Sequence, residues 1–356
     1  MPTNIFPFPP SPGFLRGRTV VRWGIIGCGD VTEVKSGPGF RLANGSALVA
    51  VMRRDAAKAA DYAKRHGVPR WYDNAAALIA DPEVDAVYIA TPPDAHLACA
   101  LKVAAAGKPA YVEKPMARHT PECDAMVQAF AKARLPLFVA YYRRRLPRFL
   151  LVKELLDQSA IGRVTGVRYV QAEPFHRKDG GWRIAATVAG GGHFLDVGSH
   201  TLDLMDFFFG PLRDVAGRAS NLASDYAPED TVAMTFRTAG GIPGTAAWNF
   251  AAGTHRDCFT ITGTDGQIEF PVFDSGPVTI ETAAGIRSVA PEHPPHVAQP
   301  LIQTIVDDLL GRGTCPSTGE SARRTSRVMD AVLHDYYGGR DDAFWTRPET
   351  WPGRRK

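Results

Sequence analysis

Short apolar runs alternate with amphipathic, alanine-rich segments from residue 21 to about residue 140. The runs read VRWGII, ALVAVM, DAVYIA, PAYVE and PLFVA, and such runs are typical of strands buried on both faces. Segments with helical periodicity lie between them, at residues 55–67, 94–107 and about 120–134, and the first two end on a glycine. This alternation predicts a parallel sheet covered by helices on both sides.

The pattern changes in the second half of the chain. A helix at about residues 147–159 precedes an alternating strand, GRVTGVRYVQAE, and several extended runs that are joined by short turns such as AGG and GTDG. Consecutive strands with short turns predict a mainly antiparallel sheet. Two more helices are expected at about residues 297–310 and 319–337.

The two patterns together predict an α/β fold with two domains. Residues 21–141 form an N-terminal Rossmann dinucleotide-binding domain, and residues 142–338 form a C-terminal α+β domain with a large open, mainly antiparallel sheet. Residues 1–20 are expected to form an arm and residues 339–356 a tail.

Composition narrows the classes of function. The 356 residues carry a net charge of only +4, with basic residues scattered along the chain, so neither nucleic acid nor a membrane is an expected partner. No apolar run reaches the length of a membrane span, and the proline-rich start lacks the features of a signal peptide. Five widely spaced cysteines without a C-x-x-C pair favour a reducing compartment, so a cytoplasmic location is expected.

A glycine turn follows the first strand, in the stretch GIIGCGDV. Gly27 permits a tight turn, and Gly29 lets a ligand pyrophosphate approach the backbone at the start of a helix. Thr32 replaces the third glycine of G-x-G-x-x-G, so it either loosens the packing or offers its hydroxyl to the phosphates. A tight turn without a ligand is the alternative interpretation. Gly37 and Pro38 are expected to interrupt the first helix.

The end of the second strand bears on the choice of cofactor. Sites for NAD usually carry an acid there, whereas sites for NADP often carry an arginine. This chain has Arg53 and Arg54, which favours NADP(H), with NAD as the alternative. Asp55 is expected to cap the next helix rather than bind the ribose.

The stretch GGGHFLDVGSH places two titratable groups four residues apart. Asp196 and His200 share one face if this segment is helical. A buried structural pair is one interpretation, and a metal site that includes Asp203 is another. A nearby lysine would oppose a metal, so no metal is expected.

Several motifs in their order resemble the Gfo/Idh/MocA oxidoreductases, a family named for glucose–fructose oxidoreductase and inositol dehydrogenase. The motifs are GIIGCG, ATPPDAH, EKP, GWR and GGGHFLDVGSH, and the resemblance runs from about residue 21 to residue 337. It implies hydride transfer between a nicotinamide and a carbinol or carbonyl carbon of a sugar, sugar derivative or cyclitol. It also implies a homodimer or homotetramer assembled through the C-terminal sheet.

The resemblance also assigns residues. Lys114 matches the lysine of EKP, and Asp196 and His200 match the D-x-x-x-H pair, so these three are the expected catalytic residues. His200 suits acid–base work, Lys114 can stabilise a developing alkoxide, and Asp196 can hold either of them or bind substrate. The expected cofactor contacts are Gly27, Gly29, Asp30, Val31, Arg53, Arg54, Thr91, Pro92, His96, Glu113 and Lys114.

Substrate contacts are expected from three segments. Trp182 and Arg183 stand where the family often has Trp-Arg, although a surface stack of the two side chains is an alternative. In AYYRRRLP, Tyr142 replaces the usual asparagine; Tyr142 or Arg144 could line the pocket, and structural ion pairs are the alternative for the arginines. His176 lies in the expected substrate loop.

The expected function is an NADP(H)-dependent dehydrogenase or reductase. One alternative is a regulator that binds the cofactor and has lost the chemistry, since fold does not imply function. Another is an enzyme with a tightly held cofactor that carries out internal redox on a sugar. Survival of the three expected catalytic residues together favours the enzyme.

Overall fold

The computed structural model describes residues 13–174 and 181–354. The strands of the first sheet are β1 Val21–Ile26, β2 Ser46–Met52, β3 Arg70–Tyr72, β4 Ala86–Ile89, β5 Ala110–Val112 and β6 Leu137–Val139. All pair in parallel, in the order β3-β2-β1-β4-β5-β6. This order confirms the predicted Rossmann domain. It opens a crevice at the carboxyl ends of β1 and β4, where the strand order reverses.

Helices cover both faces of this sheet. They are α1 Asp30–Val34, α2 Gly37–Leu42, α3 Ala56–His66, α4 Ala75–Ala80, α5 His96–Ala105 and α6 Thr120–Ala133. The predicted interruption is present, because the chain breaks between α1 and α2 and Pro38 lies in the first turn of α2. Asp55 caps α3 by accepting a hydrogen bond from the Lys58 amide, as predicted.

The second sheet has eight strands. They are β7 Val164–Pro174, β8 Arg213–Ser220, β9 Thr231–Arg237, β10 Pro243–Ala252, β11 Arg256–Gly263, β12 Gly266–Phe270, β13 Val278–Thr282 and β14 Gly285–Val289. Their order is β14-β13-β12-β11-β7-β10-β9-β8. Among the described strands of this second sheet, β7 and β10 form the one parallel pair. The predicted mainly antiparallel sheet is confirmed.

One face of the second sheet carries helices and a large apolar core. Helix α7 spans Pro147–Asp157, the short helix α8 spans Ala186–Ala189, and one turn of π-helix, Phe194–Gly198, runs directly into α9, Ser199–Phe209. The ring of Phe194 lies 4.8 Å from that of Trp248 on β10, and both are fully buried. Because Phe194 is anchored in this core, the π turn that follows it has a fixed position.

The last part of the chain packs differently from the predicted linear division into domains. Helix α10, Gln299–Leu309, lies within residues 142–338, yet Leu301 and Ile305 pack with Trp23 and Phe40 against the first sheet. The reason is its amphipathic pattern, whose apolar stripe packs against α2 and the first sheet.

The C-terminal residues also depart from the prediction of a tail. Helix α11, Gly319–Tyr337, is followed by buried Phe344 and Trp351, and the Trp351 ring lies 4.6 Å from that of Tyr337. Aromatic side chains of this size gain too much from burial to remain in solvent. The remaining domain boundaries stay a prediction.

Two expected absences can be stated for the described part of the chain. No helix among residues 13–174 and 181–354 is long and apolar enough to cross a membrane. All five cysteines lie in these ranges, and all are free thiols.

A buried ion-pair network joins the end of the first domain to α9. Arg144 donates to both carboxylate oxygens of Asp203, at 2.8 and 2.7 Å, to Asp206 at 3.0 Å, and to the Pro316 carbonyl at 3.0 Å. Arg324 on α11 also pairs with Asp206. Burial raises the pKa of Asp203 to about 6 against the opposing charge of Arg144. Arg144 is therefore a structural group, in agreement with the ion-pair alternative.

Removing the Arg144 cation should destabilise the fold strongly. We expect Arg144→Met to lower the free energy of unfolding by about 3–5 kcal/mol, because Asp203 and Asp206 would remain buried beside too little positive charge. Urea unfolding followed by circular dichroism measures this loss. The control Lys153→Met, which breaks an exposed pair with Asp157 on α7, should cost less than about 0.5 kcal/mol. A loss below about 1 kcal/mol in Arg144→Met would contradict a structural role.

Candidate active site

The glycine turn lies at the carboxyl end of β1. Gly27 has φ 91°, and a Cβ there would meet the Ala90 carbonyl group at 3.0 Å. A Cβ on Gly29 would meet nothing closer than the Gly27 oxygen at 3.9 Å, so the space in front of Gly29 is open. The buried Thr32 hydroxyl donates to the Gly29 carbonyl at 2.7 Å and accepts from the Gly29 amide at 3.0 Å. Thr32 therefore closes the turn, and its hydroxyl is not available to phosphates.

The start of α1 and the end of β2 border this open space. Asp30 is exposed and Val31 half-buried in the first turn of α1. Arg53 reaches back over the turn and donates to the Cys28 carbonyl at 3.3 Å, while Arg54 is exposed. Because the Asp55 carboxylate is used as the cap of α3, the strand end carries positive charge and no free acid.

The loop after β4 contains Thr91 and Pro92. The Thr91 hydroxyl is enclosed and has no hydrogen-bond partner among the described residues. His96 departs from its expected role as a cofactor contact. It is fully buried, with Nε2 2.7 Å from the Thr91 carbonyl and Nδ1 about equally far from the carbonyls of Pro115 (3.2 Å) and Met116 (3.1 Å). Since its ring nitrogens are occupied by main chain, His96 ties this loop to the segment after β5 and does not face a ligand.

Lys114 and Asp196 meet where the two domains join. The Lys114 ammonium, at the carboxyl end of β5, donates to the Asp196 carbonyl at 2.9 Å and forms an ion pair with Asp196 Oδ1. Glu113 turns the other way, accepting from the Tyr88 hydroxyl and from the Lys114 amide. Burial opposes ionisation of Asp196, but the charge and hydrogen bond of Lys114, with help from Arg183, lower its pKa. Asp196 is therefore a carboxylate at neutral pH.

Asp196 and His200 lie on one continuous helical segment that begins with a π turn. The Ser199 amide donates to the Phe194 carbonyl five residues earlier, so the turn contains one residue more than an α-helical turn. Asp196 lies in this turn, and His200 lies in the first turn of α9. Asp196 pairs with Lys114 and Arg183, and no hydrogen bond joins it to His200 among the described residues.

Trp182 and Arg183 lie on a short 3₁₀ turn beside Asp196. The Arg183 guanidinium lies 4.6 Å from the Trp182 ring centroid and donates through Nε to Asp196 Oδ2 at 3.0 Å. The stack that was the alternative interpretation is thus present, together with a contact to the site. His176 lies outside the described residues.

His200 is enclosed by aromatic rings. Its ring centroid lies 5.4 Å from that of Tyr142, 6.0 Å from that of Tyr141 and 6.1 Å from that of Phe273. Nδ1 is buried without a hydrogen-bond partner in the described part of the chain. Burial, and then the positive charges of Arg143 and Lys114, lower the pKa of His200 well below its ordinary value. His200 is therefore neutral at neutral pH.

Two residues near the site were missed by the sequence analysis. Arg143, and not Arg144, lies against the rings of Tyr142 and Phe273 that also contact His200. Glu229 is fully buried, accepts from the Gly192 amide at 3.1 Å and from the Tyr337 hydroxyl, and so fixes the glycine run ahead of Asp196. The run of three arginines in the sequence was a signal that could have pointed to Arg143. The sequence around Glu229 contained no signal for its contact with the glycine run.

The residues present fit a dinucleotide. The open face of Gly29, the basic end of β2 and the unpartnered Thr91 hydroxyl lie along the same edge of the first sheet, and Lys114 lies at the end of β5 on that edge. Among the described residues, no group of three or more acidic, histidine or cysteine side chains could hold a metal ion.

Comparison with known families and proteins matches both halves of the chain. A family model described as "Oxidoreductase family, NAD-binding Rossmann fold" matches residues 21–141, and one described as "GFO/IDH/MocA C-terminal domain" matches residues 149–269. The chain is 38% identical over 315 residues to oxidoreductase P35 of Formosa agariphila, covering 87% of this chain and 97% of that protein.

More distant relatives include named carbohydrate enzymes. The chain is 28% identical over 308 residues to 1,5-anhydro-D-fructose reductase of Ensifer adhaerens, covering 84% of this chain and 91% of the reductase. Its structure is similar to that of a levoglucosan dehydrogenase in complex with NADH and levoglucosan, with a TM-score of 0.79 and 23% identity. That match covers 88% of this chain and 96% of the dehydrogenase.

The burial of neutral His200 predicts a pH dependence of stability. Below about pH 6.5 the unfolded chain takes up a proton on this histidine and the folded chain does not, so stability falls as the pH falls. If His200 stays neutral to pH 5, we expect this effect to cost about 2 kcal/mol between pH 7.5 and pH 5. His200→Gln should lack it, so the variant should gain relative to the wild type as the solution is acidified.

Urea unfolding at several pH values measures the difference between the two proteins. Gln158→Ala, at an exposed position just after α7 that carries no titratable group, serves as the control, and its difference from the wild type should be the same at every pH. A His200→Gln difference that does not change with pH would contradict a neutral, buried His200.

Proposed function

The chain belongs to the Gfo/Idh/MocA family of oxidoreductases, and we propose that it is an NADP(H)-dependent enzyme acting on a sugar, sugar derivative or cyclitol. The reaction interconverts a carbinol and a carbonyl group by hydride transfer to or from the nicotinamide. The observation that carries the proposal is the contact of the Lys114 ammonium with Asp196, next to a neutral His200, at the carboxyl edge of the Rossmann sheet.

Lys114 is proposed to bind the substrate oxygen that changes between hydroxyl and carbonyl. The nicotinamide, when bound, would supply or accept the hydride, and the substrate oxygen correspondingly gains or loses negative charge. An ammonium group next to that oxygen stabilises the developing alkoxide. The ion pair with Asp196 and the hydrogen bond to the Asp196 carbonyl fix the position of the ammonium.

His200 is proposed to move the proton. Because it is neutral at neutral pH, it can accept the hydroxyl proton of an alcohol during oxidation and return it during reduction. Nδ1 is sealed in protein, which leaves Nε2 as the nitrogen that can meet the substrate. The aromatic rings around it exclude water from this part of the site.

The preference for NADP(H) is proposed from charge at the end of β2. Arg53 lies over the glycine turn and Arg54 is exposed beside it, where a 2′-phosphate would be attracted. No carboxylate is free at this strand end for the ribose hydroxyl, since Asp55 caps α3. The carbohydrate class is supported by the reductase and the dehydrogenase named above.

Replacing Lys114 should abolish most turnover. We expect Lys114→Met to lower kcat by about 10²- to 10³-fold, because the developing oxyanion loses its charged donor. Absorbance at 340 nm across a panel of polyols, sugars and keto-sugars measures turnover, and nicotinamide fluorescence measures cofactor binding. Lys102→Met, an exposed lysine on α5, is the matched control and should behave as the wild type. Unchanged turnover in Lys114→Met would refute the proposed role.

Reversing the charge at Arg53 should change the cofactor preference. We expect Arg53→Asp to weaken NADPH binding by about 10- to 100-fold relative to NADH, because a carboxylate repels the 2′-phosphate and accepts from a ribose hydroxyl. Fluorescence titrations of both cofactors measure the ratio of their dissociation constants. Lys64→Asp, on the exposed surface of α3, makes the same charge change away from the turn and should leave the ratio unchanged. Tighter binding of NADH than NADPH by the wild type would reject the preference.

A further inference from the structure

Arg143 is a buried cation without an acidic partner. It is 9% exposed, and no carboxylate of the described residues lies within ion-pair distance of it. Other buried arginines of this chain are compensated. Arg144 has two carboxylates, Arg340 pairs with Asp330, and Arg148 donates to the carbonyls of Pro271, Asp274 and Gly276 at 2.8–2.9 Å.

The guanidinium of Arg143 uses few of its hydrogen-bond donors. Its Nε donates to the Val272 carbonyl at 3.4 Å and its Nη1 to the Tyr142 hydroxyl at 2.9 Å. A guanidinium has five N–H groups, so three donors on Nη1 and Nη2 have no partner among the described residues. Nη2 has no hydrogen-bond partner among the described residues and is not among their sealed, unpartnered atoms, so it faces accessible space.

Two aromatic rings hold the guanidinium in place. It lies 4.4 Å from the ring centroid of Phe273 and 5.1 Å from that of Tyr142. The same two rings contact His200, so Arg143 and His200 share one aromatic wall of the site. After burial, the positive charge of Arg143 also lowers the pKa of His200 and so helps to keep the imidazole neutral.

The acidic residues of this region are engaged elsewhere. Asp257 accepts from the amides of Phe273 and Asp274, at 2.5 and 2.9 Å, and from the Tyr169 hydroxyl at 3.0 Å. Glu173 and Asp274 both bind His255. Asp196 is held by Lys114 and Arg183. Among the described residues, the surroundings of His200 therefore carry more positive than negative charge.

We propose that Arg143 forms a carboxylate subsite, so that the substrate is a sugar acid or another polyhydroxy acid and not a neutral sugar. This inference rests on the proposed function and names the substrate class of that same site. The free donors of the planar guanidinium match the two oxygens of a carboxylate. The substrate carboxylate supplies the missing negative charge, and the hydroxyl or carbonyl group to be converted lies toward His200 and Lys114.

The physical reason is the cost of an unpaired buried charge. Desolvating a guanidinium costs several kcal/mol unless an anion or several carbonyls compensate it, as they do for Arg144 and Arg148. A site built around such a cation binds an acid well and rejects its neutral analogue, which would leave the charge unpaired. When no substrate is bound, the rings of Tyr142 and Phe273 stabilise the Arg143 cation.

The test compares acids with their neutral counterparts. The pairs are D-glucuronate with D-glucose, D-galacturonate with D-galactose, and D-gluconate with D-glucitol. Isothermal titration calorimetry with saturating NADP⁺ or NADPH measures binding, and absorbance at 340 nm measures turnover. The variants are Arg143→Met, Arg143→Lys and, as the matched control on the same turn, Arg145→Met.

We expect the wild type to bind at least one acid about 100-fold more tightly than its neutral counterpart. Arg143→Met should weaken binding of that acid by about 30-fold or more and leave neutral sugars and cofactor unaffected. Arg143→Lys should retain part of the preference, because it keeps the charge, and so covers the case in which the methionine variant folds poorly. Arg145→Met should keep the full preference.

Several outcomes would overturn the carboxylate subsite. They are equal binding of acid and neutral counterpart by the wild type, no saturable binding of any acid, or an effect of Arg143→Met on the cofactor alone. Turnover of neutral sugars without a preference for acids would keep the proposed redox function and reject the subsite. Binding of an acid that depends on Arg143, without turnover, would keep the subsite and reject the redox function.

Discussion

The ion pair between Lys114 and Asp196 is the contact on which the rest of the site depends. One partner ends a strand of the Rossmann sheet, and the other lies on a π turn anchored in the core of the second domain. Burial raises the pKa of Asp196, and the ammonium beside it more than offsets that effect. The pair forms only when the end of β5 and the π turn of the second domain lie next to each other. Chemistry and domain arrangement are therefore coupled through two side chains.

Supporting contacts hold each end of that pair. On the Rossmann side, His96 ties the Thr91 loop to the carbonyls that follow Lys114. On the other side, Glu229 fixes the Gly192 amide, and Arg340 donates to the Gly190 carbonyl and to Arg118 O, both at 2.8 Å. These groups are buried and fully used by the protein. Their role is to position the site, and their burial makes that positioning rigid.

Three positively charged side chains lie along the cleft, and they differ in whether an acidic group of the protein balances their charge. Arg53 lies where a cofactor phosphate would bind, Lys114 is balanced by Asp196, and Arg143 has no acid of its own. Burial, and then the charges of Arg143 and Lys114, lower the pKa of His200 and keep it neutral, which is the protonation state needed to accept a proton from an alcohol. A cleft with this excess of positive charge is complementary to ligands that bring negative charge with them.

The sequence by itself determined the order of elements, the two sheet types, the glycine turn, the Asp55 cap and the interruption at Pro38, because each follows from local periodicity or backbone chemistry. Motif order was enough to identify the family and to single out Lys114, Asp196 and His200. Only the tertiary structure decided which arginine of the triplet faces His200, that His96 is used up by main-chain carbonyls, and that α10 belongs to the first sheet. These outcomes depend on contacts between residues far apart in the chain, which no local sequence pattern contains.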